Sequence, residues 1–229
     1  MLDRAIAENT LFADRLLDPS LGARRMSIAA GRILYEPNTE AKSIYVVHRG
    51  QVRTYRIGGG EHGRLLEILG AGDWCGEAAL ARQEHYGEQA TAVVSSVVTE
   101  IPTDRLLLSL PQEPRLAVEL MQQLAKKLAA SRADAAGLVF DDCNDRLLKT
   151  LVKFSHSAAA APHPDGVVLR ITHQQLAQAV GVARETVSLA LTQLRQKHLL
   201  RTGRNQLTFN PEALLSFQQG LQHAQPESD

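Results

Sequence analysis

Arg184 and Glu185 stand side by side in a stretch whose spacing turns both toward the outside of a short helix. An arginine can donate two hydrogen bonds to a guanine edge, and a glutamate can accept one from a cytosine amino group. Ser188 and Thr192 share this polar side, while Val182, Val187, Leu191 and Leu194 fall on the opposite one. Upstream, Leu176, Ala177, Ala179 and Val180 mark another short amphipathic helix. Thr172 sits where a cap would accept a backbone N–H, Gln175 is its capping-box partner, and Gly181 can end the helix in the left-handed conformation. Two helices joined at a glycine, with a polar outer face, form a helix-turn-helix pattern. Between residues 170 and 204 the charged side chains are Arg170, Arg184, Arg195, Lys197, Arg201 and Arg204 against the single acid Glu185, although the chain as a whole has zero formal net charge. Such a local excess is the electrostatic footprint expected for phosphates. A three-helix core with a merely solvated basic face would leave a similar pattern.

The elements that must position this segment can be read upstream and downstream of it. At 229 residues, with 44% hydrophobic and 22% charged residues, the chain is long enough for two modest domains of ordinary soluble composition. Residues 1–18 read as a helix with Ile6, Leu11, Leu16 and Leu17 as core positions. Short apolar or alternating runs follow: Met26–Ala30, Ile33–Tyr35, Ile44–Val47, Val52–Ile57, Leu65–Leu69, Thr91–Val94 and Val97–Ile101. Glycines and prolines punctuate them, with Gly50 and Gly72 at corners and Gly58-Gly59-Gly60 as a hairpin turn, which predicts an antiparallel roll. Asp104–Leu110 reads as a short helix capped by Thr103. A long helix then runs from Pro114 to about Leu138. Its apolar stripe is Leu116, Leu120, Leu124, Leu128, Ser131, Ala135 and Leu138, and a second face carries Val118, Met121 and Ala125, expected to pack on the roll. Two apolar faces on one helix need two partners: the roll, and either the rest of a monomer or a second copy. Asp142 caps a further helix to about Phe154, Ser155–Gly166 reads as a surface loop, and Val167–Ile171 is a strand. Leu199–Arg201 and Gln206–Phe209, joined through Thr202–Asn205, form a basic hairpin, and the tail beyond about Gly220 is polar.

The segment ITHQQLAQAVGVARETVSLALTQL resembles the C-terminal motif of the cyclic AMP receptor protein/fumarate-nitrate regulator family in Thr172, Leu176-Ala177, Gly181 and Arg184-Glu185-Thr186-Val187. The resemblance spans roughly residues 20–215. It implies an α+β protein: an N-terminal antiparallel β-roll (a jelly roll like cyclic-nucleotide-binding domains) over residues 1–110, a long dimerisation helix and hinge over 111–140, and a C-terminal winged helix-turn-helix over 141–229. It further implies a parallel homodimer through residues 116–138, a regulator of transcription bound to double-stranded DNA, and contact with RNA polymerase. On this reading Arg184 and Glu185 read bases, and Thr172, His173, Thr186, Ser188 and Arg204 are candidate phosphate contacts. Position 189 is Leu where many family members carry a second Arg, so one base position of the half-site should be altered.

The family's ligand cassette is a Gly-Glu pair opening a short helix, followed by an Arg-Ser/Thr pair. Gly76, Glu77 and Ala78 match its first half, with Glu77 placed to accept from a ribose hydroxyl. The second half departs: Gln89 stands where the phosphate-binding Arg belongs and Ala90 where the hydroxyl belongs, with Thr91 next to it. A charge-assisted contact is worth about 1.5–3 kcal/mol and an amide supplies only a neutral one, so an effector other than cyclic AMP is expected. Arg53 and Arg82 are substitute cations, and Ser131 is the family's ligand-facing hydroxyl from the long helix. Two readings stand beside this one: a cyclic-nucleotide-binding protein with little DNA binding, and DNA binding that needs no effector.

Other chemistries find little support. Two distant cysteines, Cys75 and Cys143, cannot hold an iron–sulfur cluster and have no metal-ligand spacing. His48, His62 and His85 do not cluster as a metal-dependent barrel enzyme requires, and neither a phosphate-binding loop nor a nucleophile motif occurs. No apolar run could span a membrane, and the N-terminus does not read as a signal peptide, so a cytoplasmic, non-enzymatic protein without a fixed cofactor is expected.

Overall fold

The computed structural model describes residues 12–13, 15–16, 18–58, 63–157 and 160–223. The chain divides into two compact units, Met1–Asp134 and Ala135–Asp229. Most of the helix expected over 1–18 lies outside the described residues, as do Ile6, Leu11, Leu17, Gly59, Gly60 and His62; Leu16 is buried.

In the first unit the strands are β1 (Arg24–Ile28), β2 (Ile33–Tyr35), β3 (Ser43–Arg49), β4 (Val52–Arg56), β5 (Arg64–Leu69) and β6 (Trp74–Cys75). The short helix α1 (Glu77–Leu80) follows, then β7 (Gln89–Ala92), β8 (Ser96–Pro102), α2 (Thr103–Ser109) and the long α3 (Pro114–Phe140), whose residues from Ala135 onward belong to the second unit. Among the described residues the strands form two antiparallel four-stranded sheets, ordered β1-β8-β3-β6 and β2-β7-β4-β5. The expected glycine corners are present, with Gly50 at φ 95° and Gly72 at φ 88°. Period-two alternation assigns the two faces of the first sheet. Ile44, Val46, Trp74 and Ile101 join Leu116 and Leu120 of α3 in one cluster. Tyr45, Val47, Cys75 and Val98 turn the other way, into an interior shared with Tyr35, Tyr86 and Ala90. There the Tyr35 and Tyr86 rings stack with centroids 4.0 Å apart.

Two expectations need correction here, and one strand, β6, was not expected. Thr103 does not cap α2, because its hydroxyl donates to the Lys42 carbonyl at 2.9 Å and Pro102 occupies the cap. β6 was hidden because two residues are too few to show a period. The faces of α3 are the reverse of those expected in its first half. Leu116, Leu120 and Leu124 pack on the roll, whereas Val118 and Met121 are 47% and 61% exposed and Ala125 is exposed too. Leu116, Leu120 and Leu124 join Ile44, Val46, Trp74 and Ile101 in one apolar cluster, and the stripe of Val118, Met121 and Ala125 stays outside it.

In the second unit Asp142 caps α4 (Cys143–Ser155) by accepting from the Asp145 N–H. β9 (Ala161–His163) and β10 (Gly166–Leu169) follow, then α5 (His173–Val180), α6 (Arg184–Gln196), β11 (Leu200–Gly203), β12 (Gln206–Phe209) and α7 (Pro211–His223). The four strands form one sheet in the order β11-β12-β10-β9. β9 lies inside what reads as a loop, and α7 extends past Gly220. Leu147, Leu151, Leu176, Val187, Leu191 and Phe209 build the buried centre. Arg146 donates to the carbonyl of Val180 at 3.2 Å and to that of Asp141 at 2.9 Å, fastening α4 to the end of α5.

Candidate nucleic-acid interface and effector turn

The reading head is assembled from local signals. Thr172 accepts from the Gln175 N–H at 3.1 Å while Gln175 Oε1 accepts from the Thr172 N–H at 3.0 Å, completing the capping box. The Thr172 hydroxyl keeps its proton for an external acceptor such as a phosphate. Gly181 closes α5 at φ 77°, a left-handed conformation that side chains with Cβ rarely adopt. Val187, Ala190, Leu191 and Leu194 anchor α6 in the core. Arg184, Glu185 and Thr186 are exposed at its start. The Ser188 hydroxyl donates to the Arg184 carbonyl at 2.9 Å and pairs with His173 Nδ1 at 3.0 Å, tying the start of α5 to the outer side of α6. Leu189 is 68% exposed on the same helix.

The hairpin beside this head pairs from Leu200↔Phe209 to Gly203↔Gln206, leaving Arg204-Asn205 as a two-residue tip. Arg204 is exposed there. Arg201 is spent internally, on Asp165 at 2.9 Å, and Lys197 lies 4.6 Å from the centre of the Phe217 ring. The expected DNA-facing residues are thus divided between an exposed set (Arg184, Glu185, Thr186, Arg204) and a less exposed set held in place by hydrogen bonds within the fold (Thr172, His173, Ser188).

In the roll, Gly76 opens α1 at φ 95°, and a Cβ there would come within 2.9 Å of the Ser43 carbonyl oxygen, so the turn requires glycine. Glu77 is engaged: the Lys127 ammonium of α3 lies 2.5 Å from its Oε1 and 3.0 Å from both oxygens of Glu67. The same ammonium stands 5.1 Å from the centre of the Trp74 ring. Burial disfavours a charged lysine, yet the carboxylates of Glu67 and Glu77 outweigh it and hold Lys127 well above the usual lysine range. Burial, reinforced by the Glu77 charge, pushes the Glu88 carboxyl up to about 7, against the lowering effect of its hydrogen bond from Tyr35 Oη at 2.9 Å.

A cavity of about 230 Å³ opens at this turn, lined by Arg56, Gly76, Glu77, Ala78, Tyr86 and Glu88 among others. The Arg56 guanidinium lies against Gly87, 3.5 Å from where a Cβ would be. Gly76, Glu77 and Ala78 therefore meet residues 86–88 and Arg56; Gln89, Ala90, Thr91 and Ser131 do not line the cavity. Gln89 donates its amide to Thr91 Oγ1 at 2.9 Å, Ala90 is buried in the interior cluster, and Ser131 is exposed on α3. Arg53 is buried and bonds Gln51 Oε1 at 3.0 Å, Arg82 is exposed, and neither lines the cavity. Arg56, Glu88 and Lys127 were missed. Lys127 had a signal: it lies three residues after Leu124, on the roll-facing stripe of α3, where an unpaired cation would be costly. Cys75 is buried, which raises its thiol far above reactive values. Among the described residues no group of three or more His, Cys, Asp or Glu could hold a metal ion.

Residues 25–110 match the family of cyclic nucleotide-binding domains, and residues 145–217 match the Crp-like helix-turn-helix domain. The probable transcriptional regulator flp of Lacticaseibacillus casei is 30% identical over 194 residues, covering 83% of this chain and 85% of that one. The chain belongs to the CRP/FNR family. Another relative, the cAMP-activated global transcriptional regulator CRP of Pasteurella multocida, is 28% identical over 171 residues, covering 73% and 80% of the two chains. Among solved structures, the c-di-GMP responsive global regulator CLP of Xanthomonas campestris superposes with a TM-score of 0.72 at 25% identity, over 86% of this chain and 99% of that one. A CRP/FNR family transcriptional regulator from Thermus thermophilus gives 0.71 at 25% identity, over 86% and 98%. This CRP/FNR protein is thus a transcription regulator with a cyclic nucleotide-binding domain and a DNA-binding helix-turn-helix domain, and its family is one of regulators, not enzymes. None of its described helices is long and apolar enough to cross a membrane.

Proposed function

We propose that the protein is a homodimeric, sequence-specific regulator that inserts α6 of each protomer into successive major grooves of one operator. The observation that carries this reading is the exposure of Arg184 and Glu185 at the start of α6, on a helix whose other side is fixed in the core. Thr172, His173, Thr186, Ser188 and Arg204 then contact or support contacts to phosphates. Dimerisation uses the exposed stripe of α3. Val118, Met121, Ala125 and Leu128 alternate at steps of three and four residues, and Arg132, Ala135 and Val139 continue the spacing, the pattern of a two-stranded seam. Family resemblance adds RNA polymerase as the partner at the promoter.

The effector we assign to the roll is an anionic small molecule other than cyclic AMP, held at the turn of Gly76, Glu77 and Ala78 with Arg56 supplying the positive charge that Gln89 lacks. Gln89, Ala90, Thr91 and Ser131 play a secondary part, since none reaches the cavity. A second reading, binding of DNA without any effector, is favoured by one contact: Lys127 already occupies Glu77. Fluorescence anisotropy on duplexes selected from a random library tests the central reading, with sequence preference and a dimeric stoichiometry expected. Indifference to sequence would overturn it. Calorimetry with cyclic mononucleotides and cyclic dinucleotides tests the effector: enhancement of DNA binding by cyclic AMP through Gln89 would refute our assignment, and full affinity of ligand-stripped protein would favour the second reading.

A further inference from the structure

Among the residues of α6, Leu189 is the large apolar side chain left in the open, 68% exposed. It does not belong to the core set of Val187, Ala190, Leu191 and Leu194. It stands four residues after Glu185, so the two are neighbours one turn apart on the side facing away from the core. Four residues advance roughly 6 Å along the helix, comparable to about two base-pair steps. With α6 lying in a major groove, Leu189 falls within a base pair or two of whatever Glu185 addresses.

Leucine offers neither donor nor acceptor. Set against the edge of guanine, adenine or cytosine, it would strip water from polar atoms and return nothing. Each base-pair edge in the major groove carries polar groups, and thymine alone adds an apolar one, its 5-methyl. The surroundings favour DNA over an apolar protein partner: Arg184, Glu185, Ser188 and Thr192 flank the leucine, so no continuous apolar patch exists for a protein to cover.

We propose that Leu189 is a specificity-determining residue that recognises the 5-methyl group of a thymine in each half-site. The inference rests on α6 being the recognition helix, and the test separates the two. Duplexes preferred by the full-length protein are selected from a random library. Each thymine of the preferred duplex is then replaced in turn by uracil, which removes one methyl group and keeps every hydrogen bond. Replacement at one thymine per half-site should weaken binding about three- to tenfold, and 5-methylcytosine at that place should bind better than cytosine. In Leu189→Ala the uracil penalty should vanish, and Leu189→Arg should shift selection there to guanine. Uracil tolerated at every thymine, or a penalty unchanged in Leu189→Ala, would overturn the role of Leu189 while leaving the recognition helix in place. A selection that yields no preferred sequence would remove both.

Discussion

The turn at Glu77 and the outer face of α6 are both rich in charge, and they use it in opposite ways. At Glu77 the charges answer one another: one lysine satisfies two carboxylates beneath a tryptophan ring. On α6 the charges face outward, and the hydroxyls of Ser188 and Thr192 donate to backbone carbonyls of the same helix. The first arrangement is a closed electrostatic circuit that fixes a helix on a sheet. The second is an open one that only a partner completes. Charged residues thus mark function where they lack answers within the fold, and mark architecture where they have them.

The contrast can be broken most forcefully at Lys127. Its replacement by Met leaves Glu67 and Glu77 facing each other with side chains 30% exposed, and should cost about 3 kcal/mol in urea unfolding. Adding Glu67→Gln and Glu77→Gln should recover much of that; an unaltered midpoint in the single variant would show the circuit to be ornamental. At the other pole, Arg184→Ala should leave stability unchanged and weaken specific DNA binding by about 1–3 kcal/mol, read by anisotropy.

Glu88 gives the comparison a pH axis. Its carboxyl is raised in the fold from 4.5 to about 7, so between those values the native state binds more protons than the unfolded chain. Stability from this group is therefore greatest below pH 4.5 and is lost as pH rises through 7. The expected loss is about 3 kcal/mol, and Glu88→Gln should flatten the slope measured by thermal melts. Thr172→Ala, which removes the capping box, should destabilise the second unit by about 1 kcal/mol. The smallest effect is at the hairpin tip: Arg204→Ala should lower the salt dependence of DNA affinity by about one unit of slope.

What the sequence made legible was local. The cap at Thr172, the left-handed Gly181, the cap at Asp142 and the strand runs of the roll each declare themselves within a few residues, and the structure contains all of them. Contacts between distant segments were harder to read. Lys127 meets Glu67 across 60 positions, and no periodicity records that. Arg56 reaches the Gly76 turn because β4 and β7 are neighbours in one sheet, a fact about topology and not about spacing. The reversed faces of α3 have the same origin: both stripes are apolar, and only the shape of the roll decides which one it accepts.

Arg146 has a mechanical consequence. One rigid, planar fork grips the carbonyl that ends α5 and the carbonyl of Asp141, the residue that follows α3. The separation of those two oxygens is therefore set by the dimensions of a guanidinium, and neither can shift without dragging or breaking the other. Lysine, a single point of charge, could not hold both ends. A turn of the backbone at Asp141 would therefore pull on the C-terminal end of α5 through this one side chain.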